Sequence, residues 1–260
     1  MKFTIRLSYN GASFRGWQQQ KNGTSIQGEL QKALSMLLKC DVPVTGAGRT
    51  DAGVNAVNYL AHFEVSEGAD VEPEFLGYKL NAILPKAITV HEIAPAGASF
   101  HARFSALSRE YHYFIHRRKD PFMDSFSHFC VYPLDMEKMN SAAALLLGEH
   151  DFSCFEKTGG NNLTSVCTVY EACWKTYSPV HVSQMGYPAE EGDYMMFTVR
   201  ANRFLRNMVR AIVGSLIDVG RGKKDTEWFR RLIESGSRSD AGESVPGKAL
   251  FLSGVTYPGE

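Results

Sequence analysis

Phe3, Ile5, Leu7 and Tyr9 alternate with more polar neighbours, the period-two pattern of a half-buried strand, and Asn10-Gly11 closes it with a turn pair. After Ser25 the period changes. Ile26, Leu30, Ala33, Leu34, Leu37 and Leu38 fall at helical spacing, and Ser25 is placed to cap the first turn. Alternation returns at Val57, Tyr59, Ala61, Phe63 and Val65, which predicts that these residues share the buried face of another strand. Glu72-Pro73-Glu74 predicts a helix start, because proline is tolerated in a first turn, and residues 87–93 read as a strand. In HARFSALSREYHYFIHRR, Tyr111, Tyr113 and Ile115 take one strand face while His112, Phe114 and His116 take the other. Residues 135–147 read as a helix stopped by Gly148, and 164–176 and 194–200 read as strands. A long helix is predicted over 203–219 with Phe204, Met208, Ile212 and Leu216 on its core stripe, and a last one over 225–236. Strands followed by helices, with hairpin-like links and few βαβ crossovers, predict the α+β class rather than a doubly wound sheet. No repeat or low-complexity linker divides the chain; residues 235–248, rich in Gly and Ser, form its softest stretch, and a boundary between two lobes can fall near 95–104.

Composition narrows the classes. A chain of 260 residues with 44% hydrophobic and 22% charged content can bury a substantial core. No apolar run approaches the roughly 18 residues that a membrane helix needs, and MKFTIRLSYN lacks the apolar core of a signal peptide, so a soluble, cytoplasmic protein without membrane contact is expected. The cysteines (Cys40, Cys130, Cys154, Cys167, Cys173) are scattered and contain no Cys-x-x-Cys, which predicts reduced, buried thiols rather than disulfides or a zinc site. The formal net charge is zero and the pI is near 7.1, but the charges are uneven. Residues 200–231 carry Arg200, Arg203, Arg206, Arg210, Arg221, Lys223, Lys224, Arg230 and Arg231 against only Asp218, Asp225 and Glu227. On charge alone this is either a local phosphate-binding surface or a solvated helix face.

GAGRTDAGVNA, residues 46–56, sets Asp51 between Arg49 and Gly53 and leads into the strand that begins near Val57. One reading is a capped turn with a solvated arginine; another is a loop whose amides approach an anion. There is no Gly-Lys-Ser/Thr ending, and the spacing is not that of a dinucleotide fingerprint, so the stretch alone decides neither. His112 and His116 would share a strand face, but no third ligand stands at a recognisable spacing and no metal site is predicted. Trp17, Gln18 and Gln20 either support a cleft or merely pack.

Taken together, YNGASFRGWQQQ, GRTDAG, HARFSA, SREYHY and FLRNMVRAIVGSLIDVGRG resemble, in order, the blocks of the tRNA pseudouridine synthase A family. The resemblance runs from the N-terminus to about Gly222 and more weakly to ALFLSGVTYP. It implies one pseudouridine synthase catalytic domain over 1–260, with lobes of approximately 1–100 and 101–260 flanking a central cleft. The fold implied is α+β, a long, mostly antiparallel sheet with flanking helices. The implied activity is isomerisation of uridines at positions 38, 39 and 40 of the tRNA anticodon stem-loop, by a homodimer without cofactor. Residue by residue, it gives Asp51 the role of catalytic carboxylate, and Arg210 that of the cation that keeps it charged. Tyr111 becomes the tyrosine that stacks on the target uracil, and Arg49 the residue that assists extrusion of the base. Arg203 and Arg206 fall among the RNA contacts. Simpler roles remain for two of them: a core tyrosine at Tyr111, and a phosphate contact at Arg210. The chain departs from the family pattern at Asn10, where aspartate is usual, and at Asn55, where histidine is usual; asparagine keeps a hydrogen bond but cannot become cationic. Two rival functions use part of the same residues. A catalytically silent RNA-binding protein would need the basic run and the tyrosine but not Asp51, and an aspartate-dependent hydrolase would need Mg²⁺ ligands around the loop.

Overall fold

The computed structural model describes residues 1–20, 23–66, 68–159 and 163–259. Its backbone separates into two units, residues 1–108 with 251–259, and residues 109–250.

The first unit starts with β1 (Lys2–Tyr9), whose Phe3, Ile5, Leu7 and Tyr9 are buried as the alternation predicts. α1 (Ile26–Leu38) follows, with the Ser25 hydroxyl accepting from Gly28 N to satisfy one of the free first-turn amides. The short β2 (Val44–Gly46) pairs with β3 (Asn55–Glu64), so Gly46 belongs to a strand and the loop proper starts after it. α2 (Pro73–Ile83) has its proline in the first turn, and β4 (Ile88–Ala96) runs antiparallel to β1. Within this unit β1 is flanked by β3 and β4, both antiparallel. The expected one-sided face of β3 needs correction. Val57 is 51% exposed, whereas Tyr59, Leu60, Ala61, His62 and Phe63 are all buried, so this strand is covered on both faces along its second half and alternation fails there. His62 is accommodated because Nδ1 accepts from Ala102 N at 3.1 Å, and burial pushes its imidazole down to about 4, keeping it neutral as that bond demands.

The second unit carries β5 (Ser108–His116), β6 (His128–Phe129), α3 (Met136–Ala143), β7 (Gly148–Asp151), β8 (Val166–Thr176), α4 (Val180–Gln184), β9 (Tyr194–Ala201), α5 (Met208–Gly220) and α6 (Thr226–Ser235). Its strands run in the order β5-β9-β8-β7, antiparallel, with β6 parallel to β5. Tyr111, Tyr113 and Ile115 are buried on one face of β5; His116, on the other, is buried too and stacks on Phe129. The helix predicted over 135–147 gives way to a 3-10 turn at Ala144–Leu146 before Gly148. The last strand, β10 (Leu250–Thr256), belongs to the first unit from residue 251 onward and pairs there in parallel with β3. Mixed helices and mostly antiparallel strands make this an α+β protein, as the order of elements predicts.

The helix predicted from residue 203 starts later. Asn207 is left-handed, with φ of 64°, and α5 begins at Met208. Residues 203–206 are therefore a loop and Phe204 is half-buried rather than part of a helical stripe. Asparagine tolerates this conformation better than most residues. Here its side chain also donates to Ser244 Oγ at 2.6 Å. The soft stretch over 235–248 is in fact well tied: Gly242 N donates to the buried Ser215 Oγ at 2.9 Å, and Tyr113 Oη to Pro246 O at 3.1 Å. Among the cysteines Cys40 is exposed and Cys173 half-buried, against the expectation of five buried thiols. Among the described residues no helix is long and apolar enough to cross a membrane.

Candidate active site

Of the residues singled out, Arg49 and Asp51 lie in the first unit, and Tyr111, Arg203, Arg206 and Arg210 in the second.

The Asp51 loop is built on aromatic side chains. Trp17 stacks on Tyr59 with centroids 4.2 Å apart, and Tyr9 packs edge-on against Tyr59 at 5.6 Å. Their polar atoms then hold the loop: Tyr9 Oη is 2.8 Å from Thr50 Oγ1, Trp17 N donates to Thr50 O at 3.2 Å, and Tyr59 Oη donates to Gly48 O. Thr50 is buried by these contacts, which leaves the next residue, Asp51, half-exposed. Val54 N donates to Asp51 O at 3.2 Å, closing a turn in which Gly53 has φ of +76°, a conformation that favours glycine. Gly46 is needed for a different reason, since a Cβ there would run into Tyr59 Oη and the Trp17 ring. Around Gly48, by contrast, a Cβ would meet nothing within 4 Å.

Both departures from the family pattern have structural work. Asn10 caps the turn after β1, its Oδ1 accepting from Ala12 N at 2.9 Å. Asn55 is buried and its Oδ1 accepts from Gly11 N at 2.9 Å, fastening the N-terminal turn to the start of β3. An uncharged amide suits a buried position of that kind.

Gln18 was left undecided by the sequence. Its Oε1 accepts from Arg49 Nε at 3.1 Å and its Nε2 donates to Gln27 Oε1 at 2.8 Å. No sequence signal marks this contact, which joins residues 31 positions apart.

In the second unit Tyr111 is buried, with Phe204 edge-on to it at 5.1 Å. Arg210 stands in the first turn of α5, where every helical residue is buried except Arg210 and Asp218. Its Nε donates to Val245 O at 2.7 Å while its carbonyl accepts from Val245 N at 3.2 Å. Burial pushes the nearby Tyr113 phenol up, against an opposing pull from the Arg210 charge.

The basic run is not a single surface. Arg200 pairs with Glu171, Lys223 with Asp218, and Arg230 and Arg231 with Glu227, while Arg221 lies over Tyr132 and Lys224 over Trp228. Arg203 and Arg206 differ: neither guanidinium has a hydrogen bond or ion pair among the described residues, and Arg206 is exposed. His112 faces Glu110 at 3.2 Å, and among the described residues no group of three or more His, Cys, Asp or Glu could hold a metal ion.

The first unit presents an aspartate on a braced loop, and in the second unit Arg203 and Arg206 keep their guanidinium groups clear of acids among the described residues, a disposition suited to phosphate. Comparison with known proteins makes this specific. A family model described as tRNA pseudouridine synthase matches residues 7–105 and 142–258, and the chain belongs to that family. Tyr111 falls between the two matched stretches, but the curated relatives span it. The tRNA pseudouridine synthase A of Parabacteroides distasonis is 46% identical over 100% of this chain and 97% of its own. Those of Porphyromonas gingivalis (42%, covering 100% of this chain and 98% of theirs) and Aliivibrio salmonicida (37%, 100% and 94%) are similar over equal spans.

Proposed function

We propose that the protein converts uridine to pseudouridine in the anticodon stem-loop of tRNA, at positions 38, 39 and 40. Family membership is the observation that carries this reading. The reaction breaks the bond from ribose C1′ to base N1, turns the base, and joins C1′ to C5. The C5 proton is lost and N1 gains one, so the product is an isomer and no oxidant or reductant enters. A carboxylate suits such a cycle because it can bond to, or stabilise, an intermediate and then let go.

Asp51 is that carboxylate. Its setting supports the role: the loop that presents it is held by contacts to Thr50 and Gly48, and Asp51 itself is half-exposed. Arg210 supplies the opposing charge. A cation in the first turn opposes the helix dipole, at a cost of roughly 0.3–1 kcal/mol, so the Arg210 charge is not there to favour the dipole of α5. Tyr111 stacks on the target uracil, kept upright by Phe204. Arg49 assists extrusion of the base from its stack, a step that costs a few kcal/mol. Arg203 and Arg206 contact phosphate. The working form is a cytoplasmic homodimer, without cofactor or metal, with the RNA lying across both subunits.

The test is to incubate purified protein with unmodified tRNA in the presence of a chelator and to map pseudouridine by position. Product at positions 38–40 is expected. Binding without product would revive the silent RNA-binding alternative, and a reaction abolished by the chelator would revive a metal-dependent aspartate enzyme.

A further inference from the structure

We infer that Gln18 is a positioning residue for Arg49, the outer end of an amide relay whose polarity the backbone fixes. The inference rests on the reading of Arg49 as the residue that assists base extrusion. The relay begins at β2, where Val44 O, which can only accept, receives Gln27 Nε2 at 2.8 Å. Gln27 Oε1 must then face the other way, and it accepts from Gln19 N, which can only donate, at 2.9 Å. Gln18 therefore turns its Nε2 to that same oxygen, at 2.8 Å, and its Oε1 outward to Arg49 Nε, at 3.1 Å. No amide in this chain can flip without setting oxygen against oxygen or N–H against N–H. One helical turn further along α1, Gln31 Oε1 accepts from Val44 N at 3.2 Å and its Nε2 donates to Gln19 Oε1 at 3.1 Å, so both polar groups of Val44 are gripped from the helix.

The consequence for Arg49 is directional. Its guanidinium is exposed, and a long exposed side chain samples many rotamers. A single acceptor at Nε selects among them and leaves the terminal nitrogens for other partners, which is the arrangement a side chain needs if it is to enter a base stack in one orientation. The Gln18 side chain is not part of the core, so its removal should alter this aim without unfolding the unit.

The experiment compares Arg49→Ala, Gln18→Met and the double variant in single-turnover reactions at saturating tRNA, with tRNA affinity and melting midpoint measured alongside. Methionine keeps the length of glutamine and removes both hydrogen bonds. Gln18→Met should slow turnover about tenfold, the loss expected for one hydrogen bond to a charged group, with affinity changed less than threefold, a margin of about the same rough order, and the melting midpoint within about 2 °C of wild type. In the Arg49→Ala background the same change should cost nothing further. Gln18→Glu should not restore full activity, because one carboxylate oxygen must face Gln27 Oε1, which the backbone prevents from turning away. A wild-type rate for Gln18→Met beside a slow Arg49→Ala overturns the relay and leaves the role of Arg49 standing, as does a double variant whose losses multiply. A wild-type rate for Arg49→Ala overturns the role of Arg49, and the relay with it.

Discussion

The Asp51 loop and the loop over 203–206 are both short polar stretches outside regular elements, yet they are held in opposite ways. The first is gripped by side chains: Tyr9 on Thr50, Tyr59 on Gly48, Gln18 on Arg49. The second is held through its backbone and its flanks, by Lys157 N to Arg206 O at 3.0 Å and by Asn202 Oδ1 accepting from Thr168 N at 2.9 Å, while its guanidinium groups stay clear of acids among the described residues. Fixed side chains suit a reacting group, whose contribution falls steeply with misplacement. Unengaged charges suit phosphate contacts, which add affinity without needing one geometry. On the proposed function, the first loop would do chemistry and the second would hold RNA.

The comparison breaks first, and with the largest effect, at Asp51. Asp51→Asn should abolish pseudouridine formation and leave tRNA affinity within a few fold, because phosphate contacts supply most of the binding. Appreciable product from this variant would return Asp51 to the status of a turn residue. Arg210 comes next, since it belongs by sequence to the basic run but by environment to a buried helix. Arg210→Met should cut single-turnover rates by orders of magnitude at saturating tRNA, and Arg210→Lys should recover part of the loss if charge is what matters. Lysine cannot reproduce the bond from Nε to Val245 O, so recovery will be incomplete. Weakened binding with a normal rate for the methionine variant would move Arg210 into the phosphate-binding group.

Periodicity read the elements best where one face is buried. β1 is such a case: its buried residues alternate along the whole strand. It misread β3, because a strand covered on both faces has no alternation to show beyond Tyr59. It also carried α5 back to residue 203, since Phe204, Met208 and Ile212 keep helical spacing across a break. That break depends on Asn207 reaching Ser244, a partner 37 residues away that a local pattern cannot contain. The site divides the same way. GRTDAG could be recognised as a block, but the tyrosines and tryptophan that brace it, and the Gln18 contact to Arg49, are products of the fold. The basic run shows the converse limit: its charges are plain in the sequence, while the acids and rings that occupy most of them are visible only in three dimensions.

Gly46, at the end of β2, and Gly48, in the loop that follows, sharpen the contrast at a smaller scale. Gly46→Ala would force a Cβ to within 2.6 Å of the Trp17 ring, and overpacking of this kind should destabilise the protein by about 1–3 kcal/mol in urea unfolding. Gly48→Ala meets nothing within 4 Å, so stability should change by less than about 0.5 kcal/mol. If space at Gly48 lets the RNA backbone approach, that variant will lose turnover or affinity while keeping its unfolding midpoint. Equal destabilisation by both changes would show that the two glycines serve the same packing.

The smallest effect tests the other half of the comparison, by setting an unengaged arginine against an engaged one. Arg206 has no ion pair among the described residues, whereas Arg230 lies 3.4 Å from Glu227 on the exposed face of α6. Each phosphate contact releases counterions, so the slope of log affinity against log salt counts the contacts. Arg206→Ala should weaken tRNA binding several-fold and make that slope shallower by about one, uniformly across tRNA sequences. Arg230→Ala should move neither, since its charge is offset by Glu227 and an exposed pair of this sort contributes little. Equal changes in slope for the two variants would mean that RNA displaces the Glu227 pair, and the basic run would then act as one surface after all. No change for either would mean that Arg206 takes no part in phosphate contact, and that these contacts must be sought at Arg203 or among the other basic residues of the protein.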